Sequence, residues 1–318
     1  MPLRVAILDD YQNVALKLAD WSKLKDKAAI TVFDKPFATS DEAVRALQDF
    51  EIVCAMRERT SFSREVVSAL PKLKLLLTSG MKNAAFDMAT LSERGVTVCG
   101  TGSVGSPTAG LAIALMLELT RRIGFENARM HAGEAWQVTV GRDLEGMTLG
   151  VIGLGKLGAK VAAIAKALGM NVIAWSQNLT PDKCAEAGVA YASKDDLFAQ
   201  ADIITIHLVL SARSRGLVGA ADIARMKPSA YLINTARGPI VDETALLKAL
   251  QDGRIAGAGL DTFSQEPLPA DHPLRKLDNV VLTPHLGYVT EQNYRRYYAE
   301  MIECIAAWLD GKPVRVVT

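Results

Sequence analysis

Three glycines at fixed spacing lie near the middle of the chain, directly after a short apolar run. Gly153, Gly155 and Gly158 form the pattern Gly-x-Gly-x-x-Gly, and apolar residues then recur at helical spacing as far as Gly169. In such a pattern the glycines permit a sharp turn, close approach of a pyrophosphate to the backbone, and tight packing of helix on strand. Glycines also mark plain turns. Here a second apolar strand begins at Asn171, so the order predicts a dinucleotide-binding unit with the pyrophosphate on the helix N-terminus.

Three further segments could carry chemistry because each follows a predicted strand. They read INTARG, GLDTFSQEPL and LTPHLG and contain Arg237, Glu266 and His285. Ligands bind at the carboxyl ends of the strands in open parallel sheets. We therefore expect these segments to lie at a ligand site.

The elements that must position these residues are predicted from alternating apolar runs and helical stretches. We expect an α/β fold: a Rossmann dinucleotide-binding domain plus a smaller flavodoxin-like α/β substrate domain. The substrate domain is predicted at residues 1–102 and 288–318, and the NAD(P)-binding domain at residues 103–287. The predicted strands cover residues 3–8, 30–33, 52–55, 75–78 and 96–99 in the smaller domain, and 149–152, 171–175, 202–206, 230–234, 256–260 and 280–282 in the larger one.

Two long helices are predicted as well. The helix over residues 107–122 is apolar on most of its faces, so it must be buried either inside its domain or against a second subunit. The last helix, over residues 291–309, carries apolar residues at helical spacing and is expected to pack on the first domain.

Composition limits the class of partner. The 318 residues are 49% hydrophobic and carry a net charge of +1, with lysine and arginine spread along the chain. This distribution predicts no nucleic-acid or anionic-membrane partner, and no apolar run approaches the roughly 20 residues of a membrane span. We expect a small-molecule partner.

The cysteines and the chain ends lead to further expectations. Cys54, Cys99, Cys184 and Cys304 lack the spacing of a zinc site, so we expect buried free thiols and no metal. The N-terminus lacks the features of a signal peptide, which predicts a cytoplasmic location. Because the chain ends at Thr318, soon after the last helix, no C-terminal regulatory domain is expected.

Together, the glycine motif and the three segments resemble the D-isomer-specific 2-hydroxyacid dehydrogenases, among them glyoxylate and hydroxypyruvate reductases and phosphoglycerate dehydrogenases. The resemblance implies hydride transfer between NAD or NADP and a small 2-keto or D-2-hydroxy acid. It also implies that Arg237 binds the substrate carboxylate and carbonyl, that Glu266 orients the histidine, and that His285 is the acid/base. Which acid is the substrate, and the physiological direction, stay open.

The implied roles agree with the chemistry of the reaction. Reduction of a 2-keto acid develops an alkoxide, which a protonated imidazole neutralises while a guanidinium holds the carboxylate by two bonds. In oxidation the same imidazole accepts the proton. A carboxylate beside the ring favours its charged form.

For the substrate, the resemblance points to backbone amides around Gly80 and Met81, in the segment TSGMKN. Lys82, Arg57 and Arg59 could add a second anion contact for a larger acid or a phosphate. The alternative for these three residues is ordinary surface charge.

The cofactor contacts also follow from the motif and the resemblance. Asp261 is placed beside the nicotinamide carboxamide, with a structural cap or loop acceptor as the alternative. His207 and His272 are expected near the site without acting as the acid/base. The predicted cofactor-binding residues are Gly153, Gly155, Lys156, Leu157, Gly158, Ser176, Gln177, His207, Thr235, Ala236 and Asp261.

The choice between NAD and NADP is open. NAD-specific sites usually carry Asp or Glu about 20 residues beyond the glycines, and here that place holds Ser176. Without the acid a 2′-phosphate is not repelled, but no arginine follows, only Gln177 and Asn178. We therefore predict that NADP is tolerated.

Two further points concern the whole protein: a competing function and the oligomeric state. Some relatives of this fold serve as corepressors, so a catalytically weak nucleotide-sensing binding module is the competing function, although the complete set of Arg237, Glu266 and His285 disfavours it. We also expect a homodimer through residues 103–145, in which Trp136 lines a pocket or packs between subunits.

Overall fold

The computed structural model describes residues 2–317, and the chain divides into two compact units. The first spans Met1–Gly105 and Thr290–Thr318, and the second spans Ser106–Val289. The predicted domain ends at residues 1 and 318 lie outside the described residues. The divisions fall a few residues beyond those predicted at 102 and 287. One reason is that the Val104 N–H donates to Asn293 Oδ1 at 2.8 Å, which ties this stretch to the last helix.

The first unit is built on a five-stranded parallel sheet with the order β2-β1-β3-β4-β5. This is the flavodoxin-like order, as predicted. The central strands β3 and β4 are buried along their whole length, whereas the edge strand β2 alternates buried and exposed residues. The strands are β1 (Leu3–Ile7), β2 (Ala28–Val32), β3 (Ile52–Ala55), β4 (Leu75–Thr78) and β5 (Thr97–Gly100).

Helices cover this first sheet. The last helix of the chain packs on β4 and on the first helix, so the prediction that it returns to the first domain is confirmed. Its tyrosines Tyr297 and Tyr298 are among the largest fully buried side chains. The helices are α1 (Ala15–Leu18), α2 (Ser40–Leu47), α3 (Arg64–Ser68), α4 (Met88–Glu93) and, after those of the second unit, α12 (Glu291–Leu309).

The second unit contains a seven-stranded parallel sheet with the order β12-β11-β10-β9-β6-β7-β8. Counted within the unit, the strand order is 3-2-1-4-5-6 with a seventh strand added, which is the doubly wound order of dinucleotide-binding domains. The order reverses between β6 and β9, where ligands bind in such sheets. The strands are β6 (Thr148–Ile152), β7 (Asn171–Trp175), β8 (Ala190–Tyr191), β9 (Ile203–Ile206), β10 (Tyr231–Asn234), β11 (Gly257–Leu260) and β12 (Val280–Leu282).

One apolar helix supports the half of this sheet that leads to the three polar segments. Helix α5 (Pro107–Arg121) packs against β10, β11, β12 and helix α7. A side chain on Gly259 of β11 would crowd Leu115 and Leu119 of α5, so the glycine lets helix and strand approach closely. Of the two predicted alternatives for α5, burial inside its own domain is therefore observed. The other helices are α6 (Ile123–His131), α7 (Lys156–Ala167), α8 (Pro181–Glu186), α9 (Lys194–Gln200), α10 (Ala220–Arg225) and α11 (Glu243–Gln251).

Residues 2–317 also bear on the expectations about membranes, metals and thiols. None of the helices there has the length and apolarity needed to cross a bilayer, and no three potential ligand side chains among these residues are grouped for a metal ion. The four cysteines are buried free thiols, as predicted.

Candidate active site

The three glycines form a turn between β6 and α7. Gly153 has a φ of +97°, a conformation that favours glycine, and its N–H donates to the Trp175 carbonyl at 2.9 Å. A Cβ on Gly158 would overlap the Gly153 carbonyl oxygen. Gly155 caps the 12-residue helix α7, and a Cβ there would meet no atom within 4 Å. The open space lies at the N-terminus of the helix, where the first amides of α7, including those of Lys156 and Leu157, lack intrahelical acceptors, so the turn fits a pyrophosphate.

A cavity of about 310 Å³ lies at the ends of β7 and β9. It is lined by Ser176, Gln177 and Asn178 after β7 and by Leu208, Val209 and Arg213 after β9. Because β7 and β9 both flank β6, their carboxyl-end loops meet beside the glycine turn. Sequence reasoning missed Arg213 because it considered only the residues that directly follow β7. The signal that could have found it is the strand order.

His207 follows β9 and is held by its neighbour. Its Nε2 atom lies 2.9 Å from Thr205 Oγ1, and burial lowers the pKa of His207 to about 4. The ring is therefore neutral at neutral pH and cannot serve as a proton-donating imidazolium. This agrees with the expectation that His207 is not the acid/base, whereas its contact with the cofactor stays a prediction.

The remaining histidines have other surroundings. His272 Nδ1 accepts the Leu274 N–H at 3.3 Å, and its Nε2 lies 3.4 Å from Glu243 Oε1, so the ring caps a short turn. His131 is exposed at the end of α6.

The turn after β10 carries Thr235, Ala236 and Arg237. The buried Asn234 side chain fixes it, because Oδ1 accepts the Ala236 N–H at 3.0 Å and Nδ2 donates to the Arg237 carbonyl at 2.9 Å. The Arg237 guanidinium donates to the Ala236 carbonyl at 2.8 Å. A side chain on Gly238 would overlap the Phe263 backbone. The turn of Arg237 is thus held directly against the turn after β11.

The histidine and the glutamate predicted to act together are in contact. His285 Nδ1 lies 2.6 Å from Glu266 Oε2. The other carboxylate oxygen accepts the Phe263 N–H at 2.9 Å. His285 also packs edge-on against Tyr288, with ring centroids 5.4 Å apart, and its own backbone has a φ of +54°. The side chain is fixed by a charged partner and by an aromatic neighbour.

Asp261, at the end of β11, holds the turn that carries the histidine. Its Oδ1 accepts the Thr283 hydroxyl and the Leu286 N–H, both at 2.6 Å, and its Oδ2 accepts the Gly287 N–H at 2.9 Å. Burial raises the pKa of the Asp261 carboxyl, while these hydrogen bonds oppose the rise. Of the two predicted alternatives, the loop acceptor is observed. A contact with a carboxamide stays a prediction.

Two buried hydroxyls in these turns have no hydrogen-bond partner among the described residues. They are Thr235 Oγ1 after β10 and Thr262 Oγ1 after β11. Buried polar atoms are nearly always paired, so such atoms are candidates for a bound ligand. With the glycine turn, they make this edge of the sheet fit a nicotinamide dinucleotide. Thr262 was missed because the sequence drew attention to its neighbour Asp261.

In the first unit, the turn after β4 modifies one prediction. Gly80 has a φ of +92°, and its N–H donates to Thr101 Oγ1 at 3.0 Å, so it is not free to bind a substrate. The predicted role of the Gly80 amide as a donor to the substrate would require this hydrogen bond to break, and it stays a prediction. Met81 is exposed, and its amide has no acceptor among the described hydrogen bonds, so it stays the candidate.

Two arginines of the same unit hold its turns together. Arg57 donates to the Ser79 carbonyl at 3.1 Å, and Arg59 donates to the Asp9 carbonyl at 2.8 Å while lying over the Tyr11 ring. Both arginines therefore have a structural role, in which they bind backbone carbonyls of neighbouring turns. The second anion contact, with Lys82 exposed beside the same turn, stays a prediction.

The fold and the site define a class: a doubly wound nucleotide-binding oxidoreductase with a histidine–glutamate pair at the ligand edge of its sheet. Residues 113–287 match the family model described as D-isomer specific 2-hydroxyacid dehydrogenase, NAD binding domain. The chain belongs to this family.

Individual relatives agree with the family model. The chain is 30% identical to the hydroxypyruvate reductase of Blautia hydrogenotrophica over 99% of both chains. It is 35% identical to the D-3-phosphoglycerate dehydrogenase of Archaeoglobus fulgidus over 91% of its own length, but covers only 55% of that relative. A solved structure of a D-3-phosphoglycerate dehydrogenase homologue from Ralstonia solanacearum superposes with a TM-score of 0.92 at 33% identity, covering 99% of this chain and 96% of the other.

These similarities test several of the sequence predictions. The family, the α/β fold with its Rossmann domain, the dehydrogenase class and the use of NAD or NADP are confirmed. The alternative of a nucleotide-sensing module is not favoured.

Proposed function

We propose that this chain reduces a small 2-keto acid to the D-2-hydroxy acid, and catalyses the reverse oxidation, with His285 as the acid/base. The observation that carries the proposal is the 2.6 Å contact between His285 Nδ1 and Glu266 Oε2, at the carboxyl edge of the sheet that also carries the glycine turn.

The residues would divide the work as follows. A bound nicotinamide supplies the hydride, or accepts it in oxidation. The Nδ1–H of His285 donates to Glu266, which leaves Nε2 to give a proton to the substrate oxygen in reduction and to take it back in oxidation. The Arg237 guanidinium binds the substrate carboxylate by a two-pronged contact that lysine could not make. Asp261 keeps the turn of His285 in place.

The cofactor would lie along the same edge. The amides of Lys156 and Leu157 would bind the pyrophosphate, and Ser176 and Gln177 would face the adenosine ribose. Thr235, Ala236, His207 and Asp261 would line the nicotinamide half. Support comes from the open space at Gly155 and from the unpaired hydroxyls of Thr235 and Thr262.

The direct test is a panel of 2-keto acids, including glyoxylate, hydroxypyruvate and its phosphorylated form, each with NADH and NADPH. Oxidation of the reduced nicotinamide by one of them, lost in His285→Asn, is the expected result. A matched control is His272→Asn, which removes another histidine paired with a glutamate but keeps a side-chain acceptor for the Leu274 N–H. Equal loss in both variants, or undiminished turnover in His285→Asn, would contradict the proposal.

We also propose that two copies of the chain associate through residues 103–145. The support is a set of exposed apolar side chains on α6 and in the segment that follows it, including Trp136 at 71% and Val140 at 100% exposure. Exposed apolar patches of this kind mark interaction surfaces. Analytical ultracentrifugation should show a dimer that Trp136→Glu with Val140→Asp dissociates, while Leu16→Glu, an exposed leucine on α1, leaves it intact.

We place the protein in the cytoplasm. The support is its four cysteines, which are buried free thiols, since reduced thiols are typical of reducing compartments. Fractionation of the source cells, with the protein followed by antibody, tests the assignment.

A further inference from the structure

The cavity of about 310 Å³ at the ends of β7 and β9 is lined by residues that take no part in the proposed hydride and proton transfer. It lies where the ribose of an adenosine would stand if the pyrophosphate is bound by the glycine turn, so the inference rests on the proposed function. Leu208, Val209 and Leu217 give it an apolar side that suits an adenine ring. Its other side is polar.

The polar side carries no negative charge. Ser176, Gln177 and Asn178 follow β7 and present a hydroxyl and two amides, and none of the residues lining the cavity is acidic. A carboxylate at the end of this strand normally binds the ribose 2′-hydroxyl and repels a phosphate. The wall therefore accepts either a hydroxyl or an anion at the 2′ position.

One cation lines this cavity, and it comes from the loop after β9. Arg213 is exposed at the rim. Its loop is fixed from inside, because the buried Ser214 hydroxyl accepts the Ser211 N–H at 2.8 Å and donates to the Val209 carbonyl at 2.7 Å. The Gln177 side chain donates to the Arg213 carbonyl at 3.4 Å, which joins the two loops.

Two other cations, Lys194 and Arg215, lie close to these loops, and neither lines the cavity. Lys194 donates to the Leu217 carbonyl at 2.7 Å and to Asp222 at 2.8 Å, so its charge is already balanced. Arg215, in the same loop as Arg213, does not line the cavity. Arg213 is thus the cation that can contact a ligand bound in this cavity.

We propose that this cavity binds the 2′-phosphate of NADP(H), and that Arg213 is the residue that makes the chain prefer NADP(H) over NAD(H). A guanidinium presents paired donors to a phosphate dianion. The hydroxyl of Ser176 and the amides of Gln177 and Asn178 supply neutral donors beside it. The residue that sets the preference comes from a different loop, 36 residues after Gln177.

The experiment measures binding without turnover. Isothermal titration calorimetry gives the affinities of the protein for adenosine 2′,5′-bisphosphate and for 5′-AMP, and for NADPH and NADH. The unaltered chain should bind the 2′-phosphorylated member of each pair more tightly. In Arg213→Ala the affinity ratio should fall about tenfold or more, the range for a hydrogen bond to a charged group. Arg215→Ala removes a neighbouring arginine and should leave the ratio as it was.

A second variant and a change of salt keep the test independent of folding. Ser176→Asp restores the carboxylate and should reverse the preference while NADH still binds, which shows that the variant is folded. Raising the salt to about 1 M, where the Debye length is about 3 Å, should reduce the ratio for the unaltered chain because the contact is exposed.

The outcomes separate the two proposals. If NADH and NADPH bind equally well, or if Arg213→Ala and Arg215→Ala lower the ratio alike, the assignment of Arg213 is overturned while the proposed reaction stands. If neither dinucleotide binds, both are overturned. If both bind and the keto-acid panel shows no turnover, the reaction alone fails.

Discussion

His285 and Glu266 are joined at 2.6 Å, and the second oxygen of the same glutamate accepts the Phe263 N–H at 2.9 Å. The carboxylate is therefore held at both oxygens, and it holds the imidazole through one of them. Hydrogen bonds to a carboxylate are short and strong. The orientation of the ring depends on the turn after β11 as much as on its own strand.

Replacing Glu266 by glutamine should separate orientation from charge. The amide can still accept one hydrogen bond, but it cannot stabilise a protonated imidazole. We expect kcat to fall about tenfold or more, part of the roughly 10²–10⁴ that acid–base catalysis contributes, with little change in KM. Steady-state kinetics with a keto acid that the panel identifies would show this. An unchanged kcat would mean that the pair is structural.

Replacing Arg237 by lysine keeps the charge and removes the planar fork. Since the backbone turn is fixed by Asn234, the loss should fall on substrate binding. We expect KM for the keto acid to rise about tenfold or more. Arg225→Lys, at an exposed ion pair with Asp195, is the control. A KM within twofold of the unaltered chain would rule out a two-pronged contact.

Gly158 and Gly110 offer a matched pair of helical glycines. A methyl group on Gly158 would overlap the Gly153 carbonyl, whereas one on Gly110 of α5 would meet nothing within 4 Å. Gly158→Ala should abolish or greatly weaken the binding of NADH and NADPH alike. Gly110→Ala should retain binding and raise the free energy of unfolding by up to about 1 kcal/mol. Calorimetric titration and urea denaturation provide the two measurements, and equal nucleotide affinities in both variants would refute the role of the glycine turn.

His207 should make folding sensitive to mild acid. Its pKa in the folded state is lowered to about 4, so at a pH between this value and the ordinary one the unfolded chain binds a proton that the folded chain does not. The contribution of His207 to stability is therefore complete above the pKa that it has in the unfolded chain, and it is lost as the pH falls below that pKa. Between about pH 7 and about pH 5 the loss should be about 1–2 kcal/mol.

His207→Gln should show less of this loss. The measurement is the free energy of urea unfolding of both chains at the two pH values without cofactor. Carboxylates titrate in both chains, so the difference between them isolates the histidine. Parallel pH dependence in the two chains would show that the ring is charged when folded.

Some elements were predicted closely because their sequences allow one arrangement. Strands β3, β4, β7 and β12 lie at their predicted residues, since short apolar runs bounded by turns suit a parallel sheet covered on both faces. The edge strand β2 was less well placed. β2 begins two residues before its predicted start, at Ala28, because its exposed positions break the apolar run. Helix α6, none of whose residues is buried, has no apolar periodicity to reveal it.

The site was predictable only where its residues follow strands in sequence. Arg237, Glu266 and His285 lie after β10, β11 and β12, which are neighbours in the sheet. Arg213 and the unpaired hydroxyl of Thr262 depend on which loops meet in space. The occupied amide of Gly80 depends on Thr101, which follows strand β5. Such relations are set by tertiary contacts, and no local pattern encodes them.

The left-handed backbone of His285, with a φ of +54°, limits which replacements can be interpreted. Asparagine tolerates this conformation several-fold better than most residues, and a β-branched side chain hardly adopts it. His285→Asn therefore removes the proton-carrying side chain and leaves the backbone conformation unchanged. His285→Ala also adds backbone strain, which would lower the stability of the turn. For a protein engineer, the backbone conformation alone restricts this position to a few amino acids, even before the requirements of catalysis are considered.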